Sequence, residues 1–145
     1  MPFRIVYSSE ASPGFGPAEI VEMLADSRVR NRAFGITGVL VFVDGVFLQV
    51  LEGDELDVVE LMGRIERDPR HHDVHVFVRE ATEVRAFSSW SMAYVTPDAQ
   101  EVARWAQLDG ATTMGRVMAF LENDPARLPG VVTGILRVIA GRPDA

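Results

Sequence analysis

The stretch "ITGVLVFVDGVFLQVLEG", residues 36 to 53, carries the clearest structural pattern in the chain. Two runs of β-branched, aromatic and aliphatic residues flank Asp44 and Gly45, a pair that suits the positive φ angles of a type I′ turn. The pattern therefore predicts a β-hairpin in which Val43 lies opposite Val46.

This register assigns each hairpin side chain to one of two faces, because successive residues of a strand alternate between faces. One face carries Leu40, Phe42, Phe47 and Gln49. The opposite face carries Val39, Val41, Leu48 and Val50. Since both faces are largely apolar, we expect both to be covered by other elements. Gln49 is the one polar side chain in the two sets.

The segments around the hairpin predict two helices and three further strands. The predicted strands are "FRIVYS", "DVHVFVREATEVR" and "SSWSMAYV". The predicted helices are "PAEIVEMLADSRVRNRAF", which begins at Pro17 and stops at Gly35, and "DELDVVELMGRIERD". The order βαββαββ predicts an α+β fold, a ferredoxin-like mixed sheet with two helices on one face.

The last third of the chain predicts a helical tail. Asp98 and Thr113 each precede a helix-forming run, and Pro125 and Pro129 flank the start of a final apolar helix. Because the second face of the hairpin is also apolar, we expect this tail to cover it, alone or with a partner subunit.

Composition excludes several kinds of function. The chain has 145 residues, a length that suits one domain, and a net charge of -7, which disfavours nucleic acid and anionic membranes as partners. It has no cysteine, so disulfides, thiolate ligands and cysteinyl adducts are excluded. The N-terminus lacks a signal-peptide pattern, and the apolar run near Arg137 is too short to span a membrane. We therefore expect a cytoplasmic protein.

Three polar residues do not fit a plain core: Tyr7, Asn31 and Gln49. Taken singly, they are readily explained as a rim tyrosine, a helix cap and a solvent-facing glutamine. The predicted layout can bring them together beneath the helix pair, where two amides and a phenol form a joint set of donors and acceptors. A planar ligand edged with carbonyls and ring nitrogens would satisfy this set. The apolar stripes Ile20/Leu24 and Leu61/Ile65 would sandwich its rings, and Arg64 and Asp68 would meet a polyol or phosphate tail.

Four segments resemble the successive signatures of the BLUF domains, blue-light sensors that use FAD: "IVYSS", "NRAFGITGVLVFVDGVFLQVLEG", "RIERDPRHHDV" and "FSSWSMAY". The resemblance covers roughly residues 3 to 95. It implies a BLUF domain over residues 1–96 and a C-terminal helical extension over residues 97–145, packed as one structural unit. The tail is similar to that of short members without an enzymatic output domain, so the resemblance implies a sensor that is not an enzyme.

The resemblance also assigns roles to residues. It implies non-covalent binding of FAD, with Tyr7 as the photoactive tyrosine, Gln49 as the switching glutamine and Asn31 as the flavin anchor. Ser9, Trp90 and Met92 match positions that tune the glutamine or relay its change. The remaining matches to the flavin, ribityl or phosphate positions are Ile65, Asp68, Arg70 and His71, with Arg64 as a further candidate.

In this family light drives an electron from the tyrosine to the flavin, and the glutamine is left rotated or tautomerised. The resemblance therefore implies signalling through the last strand and tail to a homo-oligomer or an unidentified downstream protein. Arg30 departs from the asparagine or histidine common at its position; it would stack on the ring or reach a phosphate. The family also leaves open whether Trp90 faces inward or outward.

Three other hypotheses come from the residues alone. A small sheet of this kind also suits an acylphosphatase, although "DGVFLQV" lacks a neighbouring arginine for a phosphate loop. The run "HHDVH" suggests a metal site made by His71, His72, His75 and Asp73, but these residues fall on no common face, so no metal is predicted. An oligomeric scaffold would explain the apolar tail but gives the three polar residues no common purpose.

Overall fold

A computed structural model describes residues 1–110 and 113–142. Its five strands are β1 Phe3–Ala11, β2 Thr37–Val43, β3 Val46–Gly53, β4 His71–Ala81 and β5 Ala93–Val95. They form one sheet in the order β4-β1-β3-β2-β5. All neighbours are antiparallel except β2 and β5, which are parallel. The predicted α+β, ferredoxin-like arrangement with a mixed sheet is confirmed.

The helices within the described residues are α1 Pro17–Phe34, α2 Glu55–Glu66, α3 Ala99–Trp105, α4 Met114–Asn123 and α5 Leu128–Ile139, with a 3₁₀ turn at Pro125–Arg127. Gly35 ends α1 with a φ of 66°, a left-handed conformation that glycine adopts without steric cost. The side chains of Asp54, Asp98 and Thr113 cap the first turns of α2, α3 and α4. The caps at Asp98 and Thr113 lie where the sequence predicts helix starts.

The hairpin has the predicted register. Val43 pairs with Val46, and Leu40 pairs with Gln49. Asp44 and Gly45 have φ angles of 53° and 74°, as a type I′ turn requires. The register places the two sets of side chains on opposite faces, as the sequence predicts.

Each face of the sheet has its own core. On the face that we call the site face, α1 and α2 pack over a cluster that includes Ile5, Ile20 and Leu51. On the opposite face, which we call the tail face, residues of α3, α4 and α5 pack against the valines of the hairpin. A Cβ on Gly134 would lie 2.2 Å from Cγ of Trp105, so glycine permits the close approach of α5 to α3.

The prediction for the last two strands is wrong in its boundaries. Sequence pattern extends the fourth strand to Arg85 and begins the fifth at residue 88, whereas residues 82–92 form a loop. The backbone N–H groups of Ala86 and Phe87 donate to the side chain of Glu52 instead of to a neighbouring strand. Sequence periodicity cannot show that these N–H groups donate to the buried side chain of a distant residue and not to a neighbouring strand.

No helix among residues 1–110 and 113–142 combines the length and hydropathy that crossing a bilayer requires.

Candidate functional site

An open cleft separates α1 from α2 above the site face of the sheet. Its empty space is about 750 Å³, including the part open to solvent, which is within the usual range for a small-molecule site. Its lining residues are Tyr7, Phe15, Met23, Ser27, Arg30, Asn31, Leu40, Phe47, Gln49, Leu51, Leu61, Arg64, Ile65, Asp68, Arg70 and His71. The cleft therefore collects every predicted site residue except Ser9, Ile20, Leu24, Trp90 and Met92.

Tyr7 and Gln49 form a hydrogen-bonded pair at the base of the cleft. They lie directly opposite each other on β1 and β3, and the Tyr7 hydroxyl donates to Oε1 of Gln49. The amide Nε2 of Gln49 donates to Sδ of Met92 at 3.3 Å. Burial of Tyr7, with a smaller contribution from the charge of Asp68, raises the pKa of its phenol. The phenol is therefore neutral and holds its proton against an amide carbonyl.

Asn31 joins α1 to the loop that precedes β5. Its side chain is 2% exposed, and Nδ2 donates to the backbone carbonyl of Ser91 at 2.8 Å. One turn earlier, Nε of Arg28 donates to the carbonyl of Met92 at 2.9 Å. Since Asn31 also lines the cleft, its amide contacts both the loop and the space available to a ligand.

His71 and Ser9 form a second polar contact behind the cleft. Nε2 of His71 lies 2.5 Å from the carbonyl oxygen of Ile65, which can only accept, so this nitrogen carries a proton. Nδ1 lies 2.7 Å from Oγ of Ser9, whose hydroxyl donates to it when the ring is neutral. Ser9 is thus placed to orient His71; its predicted role in binding the cofactor stays a prediction.

Three arginines line the cleft, and they differ in their partners. Nε of Arg70 lies 2.9 Å from both carboxylate oxygens of Asp68, and this hydrogen bonding lowers the pKa of Asp68. The Arg70 guanidinium also lies 5.6 Å from the ring centroid of Phe15, a cation–π distance. Arg30 on α1 and Arg64 on α2 form no ion pair with any residue of the described ranges, so both are available to an anionic group.

The prediction that Ile20 and Leu24 would sandwich a ligand is wrong. Both residues are buried in the core of the site face and do not line the cleft. The α1 residues that do line it, besides the predicted Arg30 and Asn31, are Met23 and Ser27. Met23 and Ser27 lie beside the buried stripe of α1. The helix turns its most apolar stripe to the sheet, so the adjacent stripe faces the cleft. Leu61 and Ile65 line the cleft as predicted.

Trp90 and Met92 lie on opposite sides of the chain that leads into β5. Met92 is buried in the site-face core and contacts Gln49. Trp90 packs against the tail-face core, with its ring 6.5 Å from that of Phe87. The indole Nε1 is buried and has no hydrogen-bond partner within the described part of the chain. The structure therefore places Trp90 away from the cleft.

The histidine run does not form the grouping that its spacing suggests. His71 contacts Ser9 and Ile65, and His75 packs its ring against Phe77. His72 and Asp73 instead lie beside Glu10 on the exposed edge of the sheet.

The geometry agrees with the comparison to known families. The family model "BLUF: Sensors of blue-light using FAD" matches residues 3–93. This match extends over more than half of the chain, so the protein belongs to the BLUF family, whose members sense blue light using FAD. The resemblance inferred from the four sequence segments is thereby confirmed.

Relatives of known structure share the fold of most of the chain. The dark-state structure of the BLUF protein BlrB is 28% identical, with a TM-score of 0.77 over 94% of this chain and 96% of BlrB. The ground-state structure of BlsA is 25% identical, with a TM-score of 0.77 over 91% of this chain and 88% of BlsA.

Curated relatives include larger proteins. The photoactivated adenylate cyclase subunit beta of Euglena gracilis is 33% identical over 95 residues, which are 65% of this chain but 11% of that subunit. The blue light- and temperature-regulated antirepressor BluF of Escherichia coli (strain K12) is 30% identical over 88 residues, which are 22% of its length. This chain therefore spans a small part of the curated relatives that it matches.

Proposed function

We propose that this protein is a blue-light photoreceptor that binds FAD non-covalently and uses Tyr7 and Gln49 as its switching pair. The observation that carries the proposal is the hydrogen bond from the Tyr7 hydroxyl to Gln49 Oε1 at the base of an open cleft. A buried phenol that faces an amide able to present either end gives the site two hydrogen-bonding states.

The residues of the cleft suit a flavin. The walls include the apolar side chains of Met23, Leu61 and Ile65, while the amide oxygen Oδ1 of Asn31 carries no hydrogen bond from the described residues and is available to a ring N–H. We propose that Asn31 and Gln49 hold the polar edge of the ring and that Leu61 and Ile65 cover one of its faces. Arg30, Arg64, Asp68, Arg70 and His71 are proposed contacts of the ribityl and phosphate groups.

FAD, when bound, supplies the absorption of blue light and the capacity to accept an electron. The protein supplies the proton path. The Tyr7 hydroxyl proton faces Gln49 Oε1. We propose that this oxygen accepts the proton when Tyr7 gives up an electron. When the phenol regains its proton, the Gln49 amide is left rotated or tautomerised, so its hydrogen bonds differ from those before illumination.

We propose that this change leaves the site through Met92. Gln49 Nε2 donates to Met92 Sδ, and Met92 precedes β5, whose residues Ala93 and Val95 pack into the tail-face core. A change in the hydrogen bond from the amide to Met92 would therefore be transmitted to β5, the strand that contacts α5. A homo-oligomer and an unidentified downstream protein are the proposed receivers, and a sensory role without catalysis is proposed for the chain. The division at residues 96 and 97 stays a prediction.

The test is an absorption spectrum of the purified FAD-bound protein before and after blue illumination. We expect a small reversible shift of the flavin band to longer wavelength. Gln49→Leu should bind FAD but lose this shift, and Tyr7→Phe should lose the normal photocycle. Tyr94→Phe, which changes the other tyrosine of the chain, should retain it. A normal shift in Gln49→Leu would refute the assignment of the switch.

A further inference from the structure

A fully buried carboxylate lies on the tail face, close to the end of β3. Glu52 is 0% exposed and follows Gln49 by three residues on the same strand. Because side chains of a strand alternate between faces, Gln49 faces the cleft and Glu52 faces away from it. Glu52 therefore does not touch the proposed ligand site, although it shares a strand with the proposed switch.

Four N–H donors surround the Glu52 carboxylate. Nε and Nη2 of Arg4 donate to Oε2 at 3.0 and 2.7 Å. The backbone N–H of Ala86 donates to Oε2, and that of Phe87 to Oε1, each at 2.8 Å. A carboxylate only accepts hydrogen bonds, so it satisfies all four donors, whereas the NH₂ group of a glutamine would face some of them. The site therefore requires a carboxylate.

Ala86 and Phe87 belong to the loop of residues 82–92, whose other end reaches the cleft. Within this loop the N–H of Trp90 donates to the carbonyl of Phe87, and the carbonyl of Trp90 accepts from Gly38 of β2. The next two residues provide the carbonyls that accept from Asn31 and Arg28, and Met92 Sδ meets Gln49. The loop is thus fixed by Glu52 at one end and contacts the switch at the other.

We propose that Glu52 is a positioning residue, which holds the 82–92 loop so that Met92 lies against the Gln49 amide and thereby slows the return of the switch in the dark. The effect on the switch rests on the proposed function. The hold on the loop does not, because it consists of hydrogen bonds between residues of the chain itself. Met92 lies against the amide of Gln49 and limits its rotation in either direction, so an amide beside a released loop returns faster.

The experiment compares Glu52→Gln with Glu80→Gln in the full chain. Glu80 lies opposite Arg4 on β4 and is exposed. Its substitution therefore removes the same charge beside the same arginine without touching the loop. Hydrogen exchange of peptides from residues 82–92, measured without flavin, should be faster in Glu52→Gln by at least one released amide, because Ala86 and Phe87 donate to different oxygens and glutamine keeps one of them. It should be unchanged in Glu80→Gln. Unchanged exchange in Glu52→Gln would overturn the proposal.

The second readout is dark recovery of the FAD-bound protein after a blue pulse. Glu52→Gln should recover roughly tenfold faster, which corresponds to a rotation barrier of the amide lower by about 1.4 kcal/mol, whereas Glu80→Gln should recover at the normal rate. Leu121→Ala tests for a general loss of stability, because Leu121 is fully buried in the tail-face core but belongs to α4 and not to the loop. Leu121→Ala should recover within about twofold of the normal rate; a tenfold change there would refute the role of the loop.

Failure of the proposed function can be distinguished from failure of the proposal for Glu52. If the parent protein shows no light-induced shift, the proposed function fails, while hydrogen exchange still tests the hold of Glu52 on the loop. If Glu52→Gln does not fold, Glu52→Asp provides the test, because it keeps the charge but withdraws the carboxylate from the amides of Ala86 and Phe87. Glu52→Asp should accelerate recovery by about threefold; normal recovery there would overturn the proposal.

Discussion

The two faces of the sheet are built from the same strands but are covered in different ways. On the tail face, α3, α4 and α5 pack directly on the hairpin valines, and Gly134 allows α5 to approach Trp105 closely. On the site face, α1 and α2 leave a cleft above Tyr7 and Gln49. The tail face contributes packing, and the site face keeps space and polar groups that packing alone would not require.

This difference separates two kinds of substitution. A residue that is fully enclosed by its own chain loses packing when it is truncated, and the vacated space is not refilled. A residue that lines an open cleft has part of its surface toward a ligand or solvent, so its truncation costs less stability and more binding. Single substitutions on each face therefore test this difference between the faces.

The largest expected effect on stability lies on the tail face. Ile135 of α5 is 0% exposed, and Ile135→Ala should lower the free energy of unfolding by about 3 kcal/mol. Leu61 of α2 lines the cleft and is half-buried, so Leu61→Ala should cost about 1 kcal/mol. Urea denaturation without flavin measures both. Equal losses in the two variants would show that the cleft is packed as tightly as the tail face.

The next effect concerns binding at the site face. Arg64→Gln removes a guanidinium that has no ion pair within the described ranges, so FAD affinity should fall by about tenfold through loss of a phosphate contact. Arg30→Gln should act in the same direction. Riboflavin, which lacks phosphate, should bind each variant with nearly unchanged affinity, as flavin fluorescence quenching would show. An equal loss for riboflavin and FAD would instead indicate that the arginine contacts the ring.

Much of the fold follows from sequence because its elements have local causes. The Asp44-Gly45 turn fixes the hairpin register, Pro17 and Gly35 bound α1, and side-chain caps mark the starts of later helices. The residues of the cleft were predictable mainly from family resemblance. Of the residues chosen by pattern alone, Tyr7 and Gln49 are indeed paired, but across β1 and β3, whose register the turn between β2 and β3 does not set.

The parts that sequence missed depend on contacts distant in the chain. The 82–92 loop has a strand-like pattern, but its amides bond to Glu52, more than thirty residues away. The rotation of α1 that turns Met23 to the cleft and Ile20 to the core depends on how the helix packs on the sheet. Neither contact leaves a periodic signal in its own segment.

The smallest expected effect is a pH dependence confined to the site face. Burial raises the pKa of Tyr7, whereas an exposed tyrosine in the unfolded chain has a pKa of about 10. Above that pH the unfolded chain loses the proton while the folded chain keeps it, so the stability present at lower pH is lost as pH rises. At about pH 10 the unfolded tyrosine is half ionised, and the loss is about 0.4 kcal/mol, equal to RT ln 2.

Tyr7→Phe removes this ionisation, and its neighbour on β1 supplies the comparison between faces. When the pH is raised from about 8 to about 10, the parent should lose about 0.4 kcal/mol of unfolding free energy relative to Tyr7→Phe. Val6 lies on the tail face, so Val6→Ala should lower stability by the same amount at both pH values. Tyr94, whose pKa is also raised by burial, is present in all three proteins and cancels. A constant difference for Tyr7→Phe would mean that the Tyr7 phenol ionises as readily in the folded chain as in water.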